Sequence, residues 1–421
     1  MDVMDILKQK VESMEDEMVD YAKQLISYPS TSGKEYDAQL FVKSVLEDLG
    51  FNDIDLWEPD IEDLKDHEAF ISSRSNFNNS PNVVGTLNGS GEGKSIILNS
   101  HIDVVPEGDK ELWTHHPYKA VVKDGLIYGR GVSDMKGTKA AIFIALKALQ
   151  EIDIKLQGNV VFQSVIEEET GSAGTLACAL KGYSADAAII PEPSAFKICP
   201  AQQGSAWFRI QVDGKAAHGG TRYHGVSAIE NACYLLETLK ELESIRNKKY
   251  KNELYAGNPI PFCINVGKLN GGEWPSSVAE KAIIEGRLGI PPGETIDSAK
   301  ASLEEWIKES SSKIAYLKDY QPKVEWFGAF WGSSAIDRDH PIVLTAKSAY
   351  RQVFSKEATI IGTPWATDAR ILTEFANTPA LVFGPGITAH CPDEHISVKS
   401  LKDYALILAN ILVNWCGVED Q

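Results

Sequence analysis

The alternation of apolar and polar residues predicts two kinds of folding unit. From residue 83 to residue 190, short apolar strand-like runs alternate with helical periodicity, which is typical of an α/β layer with a largely parallel sheet. Between residues 207 and 327 the order becomes strand, helix, two strands, helix, strand, which predicts a ferredoxin-like β-α-β-β-α-β unit. After residue 341 the α/β alternation resumes with a helix predicted over 341–354. We therefore expect an α/β domain, 1–200 and 332–421, interrupted by an inserted domain, 201–331.

The N-terminal part is predicted to be mostly helical. One amphipathic helix is expected over 1–27 and a second over 35–49, whereas the polar stretch 52–80 predicts an irregular surface excursion. Farther along, the pattern predicts a strong helix over 135–149 and buried strands over 158–166 and 187–190.

Charge and composition exclude several classes of partner. The formal net charge of −18 disfavours binding to nucleic acid and to anionic membranes, because both reward basic surfaces. No apolar run approaches the roughly 20 residues that span a bilayer, and the N-terminus lacks the pattern of a signal peptide. The six cysteines are scattered without Cys-x-x-Cys spacing, so neither disulfides nor a thiolate metal site is expected. We expect a cytoplasmic protein.

Potential metal ligands follow several of the predicted strands. In open α/β sheets, ligands bind beyond the carboxyl ends of the strands, and there the chain places imidazoles and carboxylates. Another carboxylate, Asp134, stands at the predicted start of the 135–149 helix. The residues that follow strands are His101, Asp103, Glu167, Glu168, Glu169, Glu192 and His390.

Each of these residues alone has an ordinary structural explanation. Three consecutive glutamates usually form a solvated turn, and Asp134 could simply cap its helix. Together, however, two imidazoles and three carboxylates, with one further carboxylate free, suit a pair of divalent cations that share a bridging aspartate. The spacing His101-x-Asp103 also allows the aspartate to fix the orientation of the imidazole.

Six segments of the chain resemble the M20 metallopeptidase family, in the order in which that family has them. They are Asn-Ser-His101-Ile-Asp103-Val-Val-Pro, Tyr-Gly-Arg-Gly-Val-Ser-Asp134-Met-Lys-Gly, Glu167-Glu168-Glu169-Thr-Gly-Ser-Ala-Gly, Pro-Glu192-Pro, Ala-Ala-His218-Gly-Gly and Ala-His390-Cys-Pro-Asp-Glu394. The stretch from Gly271 to Glu294, which contains Arg287, is most similar to the acetylornithine deacetylase and succinyl-diaminopimelate desuccinylase branch.

This resemblance implies a role for each residue. Asp134 would bridge two divalent ions, with Zn²⁺ expected first and Co²⁺ or Mn²⁺ as alternatives. His101 and Glu192 would complete one site, and Glu169 and His390 the other. Glu168 would be the general base, and Asp103 would support His101. The inserted domain would be a lid and the interface of a homodimer, with His218 and Arg287 contacting the substrate.

The implied reaction is removal of an N-acyl group (acetyl, formyl or succinyl) from a small amino acid or amine, by attack of a metal-bridged hydroxide on the amide carbonyl. A dipeptidase or carboxypeptidase using the same site is an alternative, and a catalytically silent binding protein of the same fold is another. Ser277 stands near where some relatives have a substrate-contacting asparagine, so the resemblance does not identify the acyl group or the amine.

Three other patterns have simpler explanations. Residues 89–95 end in Gly-Lys-Ser, but Asn88 replaces the first glycine of a phosphate loop and a strand follows, so a surface turn is expected. His115 and His116 are expected at the surface. Asp368 could cap the next helix or support the site.

Overall fold

The computed structural model describes residues 3–419, which divide into two compact units. The first unit contains the described residues up to 201, together with 335–361 and those from 367 onward, and the second contains 202–334 and 362–366. The architecture confirms the predicted fold class, because the first unit is α/β and the second has the β-α-β-β-α-β order. No helix in the described range has both the length and the apolar character needed to cross a bilayer.

The helices and strands are as follows in chain order. The α-helices are α1 (Val3–Ser13), α2 (Glu15–Ser27), α3 (Tyr36–Asp48), α4 (Ile61–Leu64), α5 (Gly137–Glu151), α6 (Ala173–Leu180), α7 (Ala228–Lys249), α8 (Ile296–Ser311), α9 (Ala315–Asp319), α10 (Pro341–Phe354), α11 (Ala369–Phe375) and α12 (Val398–Cys416). The strands are β1 (Asn52–Trp57), β2 (Asn82–Leu87), β3 (Ile96–His101), β4 (Val121–Lys123), β5 (Leu126–Tyr128), β6 (Val160–Val165), β7 (Ala187–Ile190), β8 (Ile198–Gln202), β9 (Gly204–Asp213), β10 (Ile264–Gly271), β11 (Lys281–Ile290), β12 (Lys323–Trp331), β13 (Ser334–Ala335), β14 (Ile360–Thr363), β15 (Ala380–Val382) and β16 (His395–Ser397).

The main sheet of the first unit runs in the order β1-β2-β6-β3-β7-β15-β8. Its centre, β6-β3-β7-β15, is parallel, whereas β1, β2 and β8 pair antiparallel. The central strands β3, β6 and β7 are buried at every position, which explains the apolar run with which each of them begins. Because these strands are parallel, their carboxyl ends meet at one edge of the sheet.

Two regions differ from the sequence prediction. The helix expected over 1–27 is broken at Met14 into α1 and α2, and Met1 and Asp2 lie outside the described residues. The excursion expected over 52–80 contains β1, which pairs with β2, and the short helix α4. Ile54 and Leu56 alternate with aspartates in β1, but so short an alternation is a weak strand signal.

Two fully buried lysines lie at the start of helix α5: Lys136 is its N-cap residue and Lys139 is in its first turn. Lys139 Nζ donates to the backbone oxygen of Ser100 at 2.9 Å and to Ser164 Oγ at 2.6 Å, near the ends of β3 and β6. Lys136 Nζ donates to the backbone oxygen of Tyr28 at 2.7 Å. The bonds of Lys139 tie α5 to β3 and β6, the two strands that precede candidate ligands, and burial holds the pKa of Lys139 well below its ordinary value.

The second unit is an antiparallel sheet in the order β10-β11-β9-β12, with α7 and α8 packed on one face. Phe208, Ile210 and Ile284 point to the helices and are fully buried. The alternate residues of the same strands lie on the opposite face, which α7 and α8 do not cover.

A buried ion pair fastens the end of α7 to the loop after β11. Arg246 donates to Glu294 through Nη1 at 2.9 Å and Nη2 at 2.6 Å, and its Nη2 also donates to the backbone oxygen of Gly289 at 3.0 Å. The Tyr250 hydroxyl donates to the same carboxylate at 2.9 Å.

We expect Glu294→Gln to destabilise the second unit by about 3 kcal/mol, because removing one partner leaves a buried guanidinium without its counter-charge. Native-state hydrogen exchange of the α7 amides measures this as a lower free energy of opening. The control is Glu230→Gln, which breaks the exposed pair with Arg222 and should change exchange little. Equal protection in both variants would show that the buried pair does not stabilise the unit.

Candidate metal centre

The central parallel strands bring four candidate ligands to one edge of the sheet. His101 is the last residue of β3 and lies opposite Val165 of β6. The turn that follows β6 carries Glu168 and Glu169, and Glu192 comes two residues after β7.

Two overlapping groups of side chains are close enough to hold a cation. In the first group, the ligand atoms of His101, Asp134 and Glu169 all lie within 4.8 Å of one another, and in the second those of His101, Glu168 and Glu192 do. His390 joins the first group, because its Nε2 is 2.9 Å from Glu169 Oε2 and 3.3 Å from Asp134 Oδ2.

Asp134 lies between two imidazoles. Its Oδ1 is 3.1 Å from His101 Nε2, and its Oδ2 faces His390. A carboxylate with one oxygen on each side is the arrangement that a bridging ligand requires. From the sequence, Asp134 could have been no more than the N-cap of the next helix. The structure excludes this, because the N-cap residue of α5 is Lys136 and no side chain caps the helix.

Asp103 organises the site through backbone groups. Its two carboxylate oxygens accept hydrogen bonds from the backbone N–H groups of Glu168 at 3.2 Å and Glu169 at 3.1 Å. Its own backbone oxygen is 2.9 Å from His101 Nδ1. Since a carbonyl can only accept, Nδ1 carries the proton and Nε2 keeps its lone pair for a cation.

The loop that carries Asp134 is fixed by Glu394. This buried carboxylate accepts from the backbone N–H groups of Gly131, Ser133 and Asp134 at 2.9 to 3.2 Å, and from Arg130 Nη1 at 2.7 Å. Sequence reasoning assigned Glu394 no role. The only available signal was its place in the segment that also contains His390.

The turn that carries Glu168 and Glu169 is fixed from the other side by Glu167. The Glu167 carboxylate is buried and accepts from Arg74 Nη1 at 3.1 Å, from Thr170 Oγ1 at 2.6 Å and from the Ser32 hydroxyl. Arg74 belongs to the stretch that the sequence predicts to be a surface excursion, so its contribution was missed. Nothing in its local sequence separates it from a solvated arginine.

The buried carboxylates of the site lack enough positive charge around them, as the pKa shifts of the site residues show. Burial and the neighbouring Glu192 carboxylate hold the pKa of Glu168 well above its ordinary value, and burial raises the pKa of Glu169 to about 6. Hydrogen bonds with Asp134 and Glu169 raise the pKa of His390 to about 10. In the described part of the chain, the carboxylates of Asp134, Glu169 and Glu192 form ion pairs with His101 and His390 and with no lysine or arginine.

The residues present fit divalent cations. Glu192 Oε1 is buried, and no residue of the described chain donates a hydrogen bond to it. A buried carboxylate oxygen without a partner destabilises the fold unless a ligand binds to it. Imidazole nitrogen and carboxylate oxygen are the donors that Zn²⁺ accepts, and the same set also suits Co²⁺ or Mn²⁺.

Other residues considered from the sequence lie elsewhere or act otherwise. His218 and Arg287 belong to the second unit, where His218 Nδ1 accepts from the backbone of Gly220 and Arg287 Nη2 donates to the backbone oxygen of Pro364 at 3.3 Å. Asp368 does not cap α11 with its side chain; it is buried, and burial raises its pKa to about 6. Residues 89–95 lead directly into β3, as a turn rather than a phosphate loop.

Comparisons with known proteins agree with this geometry. The sequence model of Peptidase family M20/M25/M40 matches residues 97–414. The chain is 31% identical to N-formyl-4-amino-5-aminomethyl-2-methylpyrimidine deformylase of Bacillus subtilis, covering 98% of this chain and 97% of the relative. It is 28% identical to acetylornithine deacetylase of Aliivibrio fischeri, with coverage of 95% and 99%. A tripeptidase structure from Staphylococcus aureus superposes with a TM-score of 0.73 at 22% identity, covering 96% of this chain and 98% of that one, which shows a shared fold.

We expect Glu394→Gln to weaken divalent-cation binding by about 10- to 100-fold, because residues that orient metal ligands have effects of this size. The amide cannot accept from three backbone N–H groups and Arg130 at once, so the Asp134 loop loses its fixed position. Calorimetric titration of the apoprotein with Zn²⁺ measures the affinity. Glu374→Gln, which alters only a surface pair with Arg370, is the control. An unchanged Zn²⁺ affinity in Glu394→Gln would mean that the Asp134 loop keeps its conformation without the Glu394 carboxylate.

Proposed function

Because the chain belongs to peptidase family M20/M25/M40, we propose that it is a metal-dependent N-deacylase that removes a formyl, acetyl or succinyl group from a small amino acid or amine. The chain is a hydrolase that acts on amide bonds. The observation that carries the narrower proposal is the match, over nearly the full length of both chains, to relatives named as a deformylase and as deacetylases. An N-formyl amine is therefore the first substrate class to test.

In this proposal His101 and Glu192 would hold one divalent cation, and Glu169 and His390 would hold another. Asp134 would contribute to both, with Zn²⁺ expected first. When bound, the cations supply positive charge that polarises a carbonyl oxygen and lowers the pKa of water. Asp103 keeps His101 in the tautomer that can bind a cation and keeps the Glu168–Glu169 turn in place.

Glu168 is proposed as the general base. Its backbone is held by Asp103, and its side chain pairs with no lysine, arginine or histidine of the described chain. Such a carboxylate can take a proton from the attacking water and deliver it to the leaving amine nitrogen. This assignment makes Glu168 a proton carrier and Glu169, its neighbour, a ligand.

Residues of the second unit are proposed to recognise the substrate. His218 is proposed to donate to the carbonyl oxygen as negative charge develops there, and Arg287 to hold an acceptor group of the substrate. The second unit is also proposed as a lid and as the interface of a homodimer. An exposed edge strand, β10, is available there for pairing.

A substrate panel tests the proposed reaction. We expect the metal-loaded protein to cleave N-formyl, N-acetyl or N-succinyl amines and amino acids with higher kcat/KM than dipeptides, in the presence of Zn²⁺, Co²⁺ or Mn²⁺. Released amine is measured for each metal. A clear preference for dipeptides would replace the deacylase proposal by a peptidase of the same family. Failure to cleave any amide with any metal would favour a silent binding protein.

The role of Glu168 is tested by Glu168→Gln. The isosteric amide cannot move a proton, so we expect turnover to fall by about 10²- to 10⁴-fold while the bound metal content stays near two per chain. Metal content is measured by elemental analysis alongside the steady-state rate. Glu62→Gln, on the exposed helix α4, is the matched control. Wild-type turnover in Glu168→Gln would contradict the assignment.

A further inference from the structure

Residues 66–80, which we call the strap, lie between α4 and β2 without forming a helix or a strand. Several backbone N–H groups of the strap bond within the segment, as Phe70 does to the His67 oxygen at 2.9 Å and Ser80 to the Phe77 oxygen at 3.0 Å. Such a segment has no ladder of hydrogen bonds to the sheet. It is therefore a region that can open locally at a lower free energy than the strands beside it.

The strap supplies donors to two buried carboxylates. Glu167 is 1% exposed and Glu35 is fully buried. Arg74 Nη1 lies 3.1 Å from Glu167 Oε1 and 3.9 Å from Glu35 Oε1, and Ser80 Oγ donates to Glu35 Oε2 at 2.7 Å. In the described range, no other lysine or arginine forms an ion pair with either carboxylate. Opening of the strap would therefore leave both carboxylates buried without a cationic partner.

The strap also packs directly on the glutamate turn, which we define as residues 167–171. Gly171 closes this turn with a φ of +146°, and a Cβ there would lie 2.4 Å from the backbone oxygen of Ile71 in the strap. Only glycine combines this conformation with so close an approach. The strap and the turn thus meet at two places, by backbone packing at Ile71 and by the ion pair of Arg74.

Glu167 has a backbone conformation that depends on its surroundings. Its φ is +61°, in the left-handed region that residues with a side chain rarely adopt. Such a conformation persists where several contacts fix the residue, and here Arg74, Thr170 and Ser32 all donate to its carboxylate. Without Arg74, Glu167 is freer to return to an ordinary conformation. The two glutamates that directly follow it would then move with the turn.

We propose that docking of the strap and binding of divalent cations stabilise one another, and that Arg74 is the positioning residue that couples them. With the strap docked, Arg74 holds Glu167, and Glu169 is in place as a ligand. A Glu169 carboxylate that is bound to a cation keeps the turn, and with it Glu167, where Arg74 can reach it. This inference goes beyond the N-deacylase reaction and rests only on the proposed metal centre.

A direct electrostatic effect of Arg74 on the cations would have the opposite sign. A guanidinium repels a nearby cation, so its removal would strengthen cation binding if charge alone mattered. Its removal weakens cation binding if Arg74 acts by holding the glutamate turn. The direction of the change therefore separates the two roles.

Calorimetric titration of the full-length apoprotein with Zn²⁺ measures this direction. We expect Arg74→Gln to weaken Zn²⁺ binding by about 10- to 100-fold, as the loss of residues that orient metal ligands does. Arg74→Lys keeps the positive charge and should recover most of the affinity. Lys65→Gln, which breaks an exposed pair with Glu62 just before the strap, is the matched control and should bind Zn²⁺ as the wild type does. Unchanged or tighter binding in Arg74→Gln would overturn the inference.

Hydrogen exchange of the strap amides tests the reciprocal effect in the wild-type chain and needs no variant. By thermodynamic linkage, a bound cation must favour the docked strap by the same factor by which undocking weakens cation binding. We therefore expect strap amides to exchange about 10- to 100-fold more slowly in saturating Zn²⁺ than in the metal-free protein. Amides of α8, in the second unit, are the internal control and should exchange equally in both states.

A double variant tests whether Arg74 acts through Glu167. In a Glu167→Gln background, Arg74→Gln should weaken Zn²⁺ binding little further, because the partner is already gone. A further loss as large as in the wild-type background would overturn the coupling. Zn²⁺ binding with unchanged exchange of the strap would overturn this inference alone, whereas absence of divalent-cation binding in the wild-type protein would overturn the proposed function as well.

Discussion

Mutual repulsion among carboxylates at one sheet edge is the constraint around which the first unit is built. Asp134, Glu168, Glu169 and Glu192 converge where the central parallel strands end, and burial raises the pKa of Glu168 and Glu192. Such a cluster is stable only if cations are bound and if the surrounding chain cannot relax away from it. The polar groups around the cluster prevent the surrounding chain from relaxing away from it.

Three anchors hold the cluster, and each uses a buried ionisable group that lies outside it, namely Glu394, Glu167 or Lys139. Glu394 collects the backbone donors of the Asp134 loop, Arg74 holds Glu167 at the start of the glutamate turn, and Lys139 ties β3 to β6 from below. Each anchor is itself satisfied by hydrogen bonds, which is what makes a buried charge tolerable. The ligands can therefore crowd together, because their backbones are fixed by contacts that do not involve the cation.

The sequence revealed the ligands more readily than their supports. His101 and Glu192 follow apolar strands, and parallel strands necessarily end together, so periodicity alone predicts that such residues meet. Helix α10 is predicted to the residue, because Pro341 fixes its start. The start of α5 is not, since the Asp134 loop takes its shape from Glu394, 260 residues away. Arg74 escapes prediction for the same reason, as only its tertiary contact with Glu167 distinguishes it from an ordinary surface arginine.

The small sheet β16-β5-β4 pairs residues 126–128 with residues 395–397, next to Glu394 and five residues beyond His390. The segment that fixes the Asp134 loop is thus among the last to be synthesised, after the whole second unit has been made. A nascent chain still short of residue 390 has His101, Glu169 and Glu192 but has neither the final imidazole, that of His390, nor the Glu394 carboxylate that shapes the loop. The candidate metal centre is consequently completed late in synthesis, after the residues that form the second unit.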